Sequence, residues 1–316
     1  MKEQMGFGLS KFRDVFIELD RFFLKTGATE PRITREQIND WAKTRINDKA
    51  RTLYDKHSIV RQFCHYLCHL GHECYIHRLP RQNWPAFIPY IFSHEEMERI
   101  FQASDKLTLQ NRSMRSVLIS IPAIVRLLYS TGIRIGECLS LKNENLDFLH
   151  GHILLKRTKN QMERLLPICP SMLEVLVQYK DYRDRMPIKE VSAPTAPFFV
   201  SAMGNKVSGI SVHTWFRKIL LQCEILRRSD GQGPRVHDFR HTMAVHSLMK
   251  MVRDGKDINC ALPILSVFLG HKSLKGTETY VRLTRDMYPD IIAMEYPVSS
   301  AVFPDNPYSE TGHGID

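Results

Sequence analysis

The stretch from Pro234 to Tyr280 concentrates residue types that suit phosphate chemistry. His237 and Arg240 lie three positions apart near its start. His271 follows a Leu-Gly pair, and Tyr280 comes nine positions later. An arginine fork complements phosphate oxygens, a histidine donates hydrogen bonds or moves protons, and a tyrosine hydroxyl becomes a nucleophile once its proton is taken. The fold must therefore bring a second arginine and an acid to this stretch from elsewhere in the chain.

The segment TGIRIGECLSLKNENLDF supplies a candidate arginine and acid. Gly132 is predicted to end one helix and Arg134 to open the next, with Glu137 three positions on and with Leu139 and Leu141 facing inward. An arginine held beside an acid at the start of a helix can be rigid enough to bind a phosphate in a fixed orientation. The same spacing also produces an ordinary arginine to glutamate pair within a helix, and the motif alone leaves both interpretations open.

A β-hairpin is predicted for the segment GHILLKRTKNQMERLLPI. Apolar Ile153 and Leu155 alternate with polar residues, a turn falls at positions 159–161, and RLLPI resumes the strand pattern. Lys159 lies near the tip, where it either reaches a DNA backbone or is a solvated turn residue. The segment FFVS, at positions 198–201, is predicted to be a further short strand.

The net charge of the chain favours an anionic partner. It has 316 residues, 43% of them hydrophobic and 25% charged, with a formal charge of +10, which indicates nucleic acid or a membrane surface. No apolar run approaches the roughly 18 residues that a membrane span needs, and the N-terminus lacks the apolar core of a signal peptide. We therefore expect a soluble, cytoplasmic protein, with nucleic acid favoured over a membrane surface as its partner.

Two groups of residues have spacings that raise the possibility of a metal site. The segment CHYLCHLGHEC is dense enough to suggest zinc, but it lacks the usual two-residue spacing, and packing of Cys64, Leu67, Cys68 and Leu70 in an amphipathic helix is favoured. Its potential ligands are Cys64, His65, Cys68, His69, His72 and Cys74. His237 and His241 are four apart, but no third ligand accompanies them. We expect neither a metal nor a cofactor.

Helical periodicity and proline content predict two domains and a tail. Residues 1–82 are expected to form a helical domain, with one helix over Ser10–Lys25 and another over Lys49–Leu70. A linker at 83–91, a second domain at 92–287 and a tail at 288–316 follow. A helix is expected over Ser211–Arg228. The basic residues of the first domain either lie along DNA phosphates, which we favour, or form a solvated surface: Lys43, Arg45, Lys49, Arg51, Lys56 and Arg61.

The motifs TGIRIGE, KRTKNQMERLLPI, HDFRHT, LGH and TETYVRL, in this order and spacing, resemble the tyrosine recombinase (phage integrase) family. The resemblance covers roughly Tyr90 to Leu283, and the first domain looks like the core-binding domain of the family. It implies a mainly α catalytic domain with a small antiparallel β-sheet. By resemblance the catalytic residues are Arg134, Lys159, His237, Arg240, His271 and the nucleophile Tyr280, with Glu137 as a supporting acid. Thr158 stands where the family commonly has glycine, so Lys156 competes with Lys159.

The resemblance implies a nucleoid-associated enzyme, without a membrane partner, that cuts and rejoins DNA through a covalent 3′-phosphotyrosine intermediate. Its expected partners are double-stranded DNA, a homo-tetramer on two recombination sites, and related recombinases or accessory DNA-bending proteins, with the tail exchanged between subunits. We favour integration, excision or transposition of a mobile element. A chromosome-dimer-resolving recombinase and a type IB topoisomerase-like relaxing enzyme are the alternatives. An architectural DNA-binding protein with a degenerate site and a metal-dependent nuclease are more distant ones.

Overall fold

Two units divide the chain between Ile88 and Pro89, within the segment where prolines predict a linker. The computed structural model describes residues 10–28, 30–82, 87–108, 116–156, 163–225, 233–271 and 275–287. Within these ranges, each helix is too short or too polar to cross a bilayer.

Three helices build the first unit around Trp41, which is fully buried. They are α1 (Ser10–Thr26), α2 (Arg35–Lys43) and α3 (Ala50–His69). Thr34 caps α2 by accepting a hydrogen bond from the backbone of Gln37, whose side chain in turn accepts from the backbone of Thr34. The apolar faces of the helices meet in one core, which consists of Val15, Leu19, Ile33, Ile38, Trp41, Ile59, Val60, Cys64 and Leu67.

Of the four residues near the end of α3 that were predicted to pack in the core, only the first two do so. Cys64 and Leu67 are buried, whereas Cys68 and Leu70 are exposed, so the packing role assigned to the latter two is wrong. The reason is that Leu67 is the last residue of α3 to reach the core. Among the described residues, no three His, Cys, Asp or Glu side chains are grouped as ligands of one metal ion.

The second unit is mainly helical. Its helices are α4 (His94–Asp105), α5 (Ile121–Thr131), α6 (Ile135–Leu139), α7 (Pro170–Asp184), α8 (Gly209–Gln222), α9 (Asp238–Arg253), α10 (Ile258–Leu269) and α11 (Lys275–Met287). Helix α9 packs against α5, α10 and α11, and most of its residues are buried, including the charged Arg240. A charge held this deep requires partners, because an unpaired buried ion is costly.

The sheet of the second unit is antiparallel, with strands in the order β1 (Leu146–Asp147), β2 (His152–Leu155) and β3 (Arg164–Pro167). His152 pairs with Pro167 and Leu155 with Arg164, which confirms the predicted hairpin. The helices and this small sheet confirm the predicted fold class. Lys159 lies in 157–162, outside the described residues.

Two sequence predictions for the second unit are wrong. The segment Phe198–Ser201 is not a strand, because Val200 forms only an isolated bridge with Lys206 and the apolar side chains are buried without a neighbouring strand. Helix α8 ends at Gln222, well before the predicted end at Arg228, since Cys223 caps it and Glu224 takes a left-handed conformation with φ 55°.

Candidate active site

Arg134 stands at the junction between α5 and α6, where three acceptors fix its position. Its Nη1 donates to Glu137 Oε1 at 2.8 Å, and its backbone N–H donates to Glu137 Oε2 at 3.2 Å. Its Nη2 donates to the carbonyl of Gly270 at 3.4 Å. Arg134 and Glu137 thus form the expected pair, and the third bond ties that pair to the turn before His271. An ordinary surface pair within a helix would not make this long-range contact.

Arg240 projects from α9 into the same region and is only 3% exposed. Its Nη1 donates to the carbonyl of Gly132 at 2.6 Å, and its Nη2 donates to the carbonyl of Leu269 at 2.7 Å. Both carbonyls lie at the C-terminal ends of helices, where the helix dipole favours a cation. Burial, with the nearby charge of Arg134, lowers the pKa of Arg240 to about 10. The guanidinium is therefore charged and rigidly held at neutral pH.

Gly132 and Gly270 end α5 and α10 in the left-handed conformation, with φ 58° and 66°. A Cβ on Gly132 would lie 2.3 Å from Cε of Met243 and 3.0 Å from Cδ2 of Leu269. These glycines let the chain turn sharply while their carbonyls accept hydrogen bonds from the two arginines.

We expect Gly132→Ala to destabilise the protein by more than about 1 kcal/mol, because the new side chain is strained at positive φ and collides with Met243. Chemical denaturation monitored by circular dichroism measures this change. Gly136→Ala is the matched control, since a Cβ there meets nothing within 4 Å. Equal stability of the two variants would contradict the account of this turn.

His271 and Tyr280 lie on either side of the start of α11. His271 Nδ1 is 2.8 Å from the hydroxyl of Thr277, and the His271 ring stacks on the Tyr280 ring with centroids 6.2 Å apart. Tyr280 is 3% exposed. Burial raises the pKa of Tyr280 above its ordinary value, although the charge and hydrogen bond of Arg240 act in the opposite direction. The hydroxyl is thus protonated at neutral pH and must lose its proton when it attacks.

His237 lies directly before α9, beside a cavity of about 400 Å³. Arg134, Glu137 and Lys156 also line this cavity. The His237 ring is 4.9 Å from that of His241, which in turn is 5.7 Å from the Tyr280 ring. The cavity is large enough for a phosphate group, and an arginine, a lysine and a histidine border it.

The histidines of this region are neutral at pH 7. Partial burial, followed by neighbouring positive groups, lowers the pKa values of His241 and His271 to about 4. The ordinary value is 6.5, so the unfolded chain binds more protons than the folded one between these limits. The contribution of these histidines to the free energy of unfolding is therefore complete above pH 6.5 and is lost as the pH falls toward 4.

We expect the midpoint temperature of thermal unfolding to decrease as the pH is lowered from 6.5 to 4. Calorimetry across this pH range measures the change. His241→Gln should weaken this dependence because it removes one of the buried titrating groups. His213→Gln, at an exposed position of α8, is the matched control and should leave the dependence unchanged. The same pH dependence in wild type and His241→Gln would contradict the assignment of a buried neutral His241.

Sequence reasoning did not assign Arg164 to this site. Its Nη2 donates to Glu137 Oε2 at 3.0 Å. Alternation along β3 places it on the same strand face as the fully buried Leu166. That alternation was the available signal, since a charged residue on an inward strand face requires a partner. His241 and Thr277 also contact the predicted residues without having been assigned to the site.

Sequence comparisons match this chain to known proteins. Residues 91–287 match the model of the phage integrase family. A protein of Sinorhizobium fredii named integrase/recombinase is 27% identical over 286 residues, which cover 89% of each chain. Tyrosine recombinase XerC of Oceanobacillus iheyensis is 27% identical over 254 residues, covering 78% of this chain and 75% of that protein.

Solved structures show the same fold. XerH site-specific recombinase bound to a palindromic difH substrate superposes with a TM-score of 0.64 at 17% identity, covering 92% of this chain and 79% of that one. A lambda integrase dimer bound to a core site gives 0.58 at 16% identity, covering 84% and 86%. The chain therefore belongs to the phage integrase family and is a tyrosine recombinase, an enzyme that cuts and rejoins DNA strands.

Proposed function

We propose that Tyr280 is the nucleophile of this recombinase and that Arg134 and Arg240 hold the phosphate that it attacks. The observation that carries this assignment is the convergence of both arginines on the Gly270 turn, beside the buried Tyr280. The Tyr280 oxygen forms a bond to phosphorus as the bond from phosphorus to the 5′ oxygen breaks. The product is a 3′-phosphotyrosine and a free 5′ hydroxyl, and attack by a 5′ hydroxyl reverses the step.

The arginines act on the charge that develops during this exchange. The pentavalent transition state carries extra negative charge on its non-bridging oxygens, which preorganised cations stabilise. Arg240 is fixed by two carbonyls and Arg134 by Glu137 and a third carbonyl. Because both guanidinium groups are oriented before DNA arrives, little reorganisation is needed during the reaction.

Proton transfers accompany both ends of the exchange. The attacking Tyr280 hydroxyl gives up a proton, and we assign its acceptance to neutral His271, whose ring stacks on that of Tyr280, with His237 assisting by hydrogen bonding. The departing 5′ oxygen must gain a proton, which we assign to a lysine of the hairpin. Lys159 is the first candidate. Lys156, which borders the cavity with Arg134, is the second.

A nicked suicide substrate tests this chemistry. Cleavage releases a short fragment that carries the free 5′ hydroxyl, and its diffusion away prevents religation and traps the covalent adduct. The wild-type protein should form a covalent protein–DNA adduct in the presence of a chelator, since the proposed step uses arginines and no metal ion. Adduct formation is read by denaturing gel electrophoresis. If the chelator abolishes cleavage, the alternative of a metal-dependent nuclease is favoured instead.

We propose that the first unit binds DNA phosphates through the exposed Lys49 and Arg51. Other basic residues of the predicted face are engaged in ion pairs: Arg45 and Lys56 both contact Glu18, at 3.0 Å and 2.7 Å. Substituting Lys49 and Arg51 together by Gln should weaken DNA binding and reduce its salt dependence. Unchanged binding would count against this face.

Recombination between two duplexes requires four cleavage sites, so we propose a homo-tetramer on two DNA sites, with segment 288–316 contacting a neighbouring subunit.

The names integrase/recombinase and XerC among the relatives fit both a mobile-element enzyme and a chromosome-dimer resolvase. We favour the mobile element. Strand exchange between two labelled duplexes separates recombination from the topoisomerase-like alternative, which relaxes supercoils only.

A further inference from the structure

Arg164 connects two parts of the proposed site that are distant in sequence. It begins β3, and its side chain is 13% exposed. Its Nη2 donates to Glu137 Oε2 at 3.0 Å and its Nη1 to Glu137 Oε1 at 3.5 Å. This fork-to-carboxylate geometry restricts both partners more than a single bond would.

Glu137 lies between two guanidinium groups. Oε1 accepts from Arg134 at 2.8 Å, while Oε2 accepts mainly from Arg164. Burial would raise the pKa of the Glu137 carboxyl, but the hydrogen bonds from Arg134 and Arg164 hold it below its ordinary value. The carboxylate is thus ionised, and its orientation depends on Arg164 as well as on Arg134.

The second contact of Arg164 is with the turn that carries His271. A Cβ added to Gly270 would be 2.6 Å from Arg164 Nη1 and 3.0 Å from its Cζ, so the guanidinium lies directly against the turn and a side chain there would displace it. The carbonyl of the same Gly270 accepts from Arg134. Arg164 therefore packs against both supports of Arg134, the carboxylate and the turn.

We propose that Arg164 is a positioning residue that orients Arg134, through Glu137, and holds the Gly270–His271 turn beside it. This inference rests on the proposed function of Arg134 and Tyr280. It goes further by assigning a role to a residue outside the predicted catalytic set. Arg164 is not required to touch the phosphate; its effect on the reaction passes through Arg134 and His271.

A purely stabilising role would have different consequences. Buried ion pairs often contribute little to stability relative to an apolar replacement of similar volume. Arg164→Met keeps much of the side-chain volume and removes the fork and the charge. Arg164→Lys keeps the charge but cannot bind both oxygens of Glu137 in parallel. The two variants therefore separate the contribution of charge from that of geometry.

The charge of Arg164 also acts on His271. Burial is the main cause of the lowered pKa of His271, followed by Arg240, Arg134 and Arg164, and then His237. The groups around the His271 ring are Arg134, Arg164, His237, Arg240, Thr277 and Tyr280. Removing Arg164 should therefore raise the pKa values of both His271 and Glu137. As the pH falls, His271 and the Glu137 carboxylate would then become protonated at a higher pH than in wild type.

The test is the single-turnover rate of adduct formation on the suicide substrate, at saturating protein and from about pH 3.5 to 8, a range that includes the wild-type His271 pKa of about 4. Arg164→Met should lower the rate at neutral pH by about 100-fold, the size of effect expected when a reacting group is misplaced. It should also move the acid midpoint of the rate profile to higher pH. Arg164→Lys should lower the rate while leaving the midpoint near the wild-type value.

Arg126→Met is the matched control, because it removes an arginine that donates to both oxygens of Asp105 within the same unit. It should change neither the rate nor the midpoint. Wild-type rate and midpoint in Arg164→Met would overturn the inference. A rate loss without a midpoint shift, accompanied by an equal loss of DNA affinity or thermal stability, would also overturn it, because the role would then be structural. If the wild-type adduct does not form on Tyr280, the proposed function itself fails, which these variants do not decide.

Discussion

Arg240→Ala is expected to lower the rate of adduct formation on the order of 1000-fold, the loss typical of removing a preorganised electrostatic stabiliser. Arg240 is buried between the carbonyls of Gly132 and Leu269, so its truncation removes a fixed positive charge that a water molecule does not supply. DNA affinity should change far less, because other basic residues contribute to phosphate binding. Single-turnover cleavage and a filter-binding titration measure the two quantities separately.

Arg240→Lys and a matched buried arginine complete this experiment. Lysine keeps a charge but cannot span both carbonyls, so its rate should also be far below wild type. Arg183 is fully buried, and its Nη1 donates to Asn143 at 2.8 Å and to the carbonyl of Phe198 at 2.9 Å. Arg183→Lys should therefore reduce stability while the folded protein still cleaves. Near wild-type cleavage by Arg240→Ala would remove Arg240 from the mechanism.

Tyr280→Phe is expected to abolish the covalent adduct, with a rate reduction on the order of 10⁴-fold or more, as found when a nucleophile is deleted. The substitution removes a single oxygen, and the ring keeps its packing against His271 and His241. The protein should therefore fold and bind DNA normally. Denaturing gels of the suicide reaction and a binding titration measure both outcomes.

Tyr179→Phe is the control for losing a buried phenol elsewhere in the second unit. The Tyr179 hydroxyl lies 2.9 Å from that of Ser120 and accepts from the backbone N–H of Val200 at 3.1 Å. Its removal should lower stability by about 1 kcal/mol, with adduct formation retained in the folded protein. An adduct formed at the wild-type rate by Tyr280→Phe would show that another residue is the nucleophile.

The sequence was sufficient for the features that depend on local pattern. Helical periodicity, the alternation on both sides of the hairpin turn and the glycine at the end of α5 predicted elements that the structure contains. The Arg134–Glu137 contact was also accessible, because three residues at a helix start bring the two side chains together. Residue type and spacing were enough for these features.

Features that depend on tertiary contacts could not be predicted in this way. Arg164 pairs with a carboxylate 27 positions away, and its contact with the turn at Gly270 joins positions still further apart in the chain. The Phe198–Ser201 segment has the composition of a strand, but among the described residues it forms only an isolated bridge, between Val200 and Lys206. The exposure of Cys68 likewise depends on where the core of the first unit ends.

The most direct test of the central claim is to identify the residue joined to DNA. Wild-type adduct from the suicide substrate is digested with a protease and a nuclease, and the peptide that retains a nucleotide is sequenced by mass spectrometry. A nucleotide linked through its 3′ phosphate to Tyr280 is the result we predict. The same nucleotide on Tyr288, eight positions further along the chain, or on any other residue would contradict the assignment of Tyr280 as nucleophile.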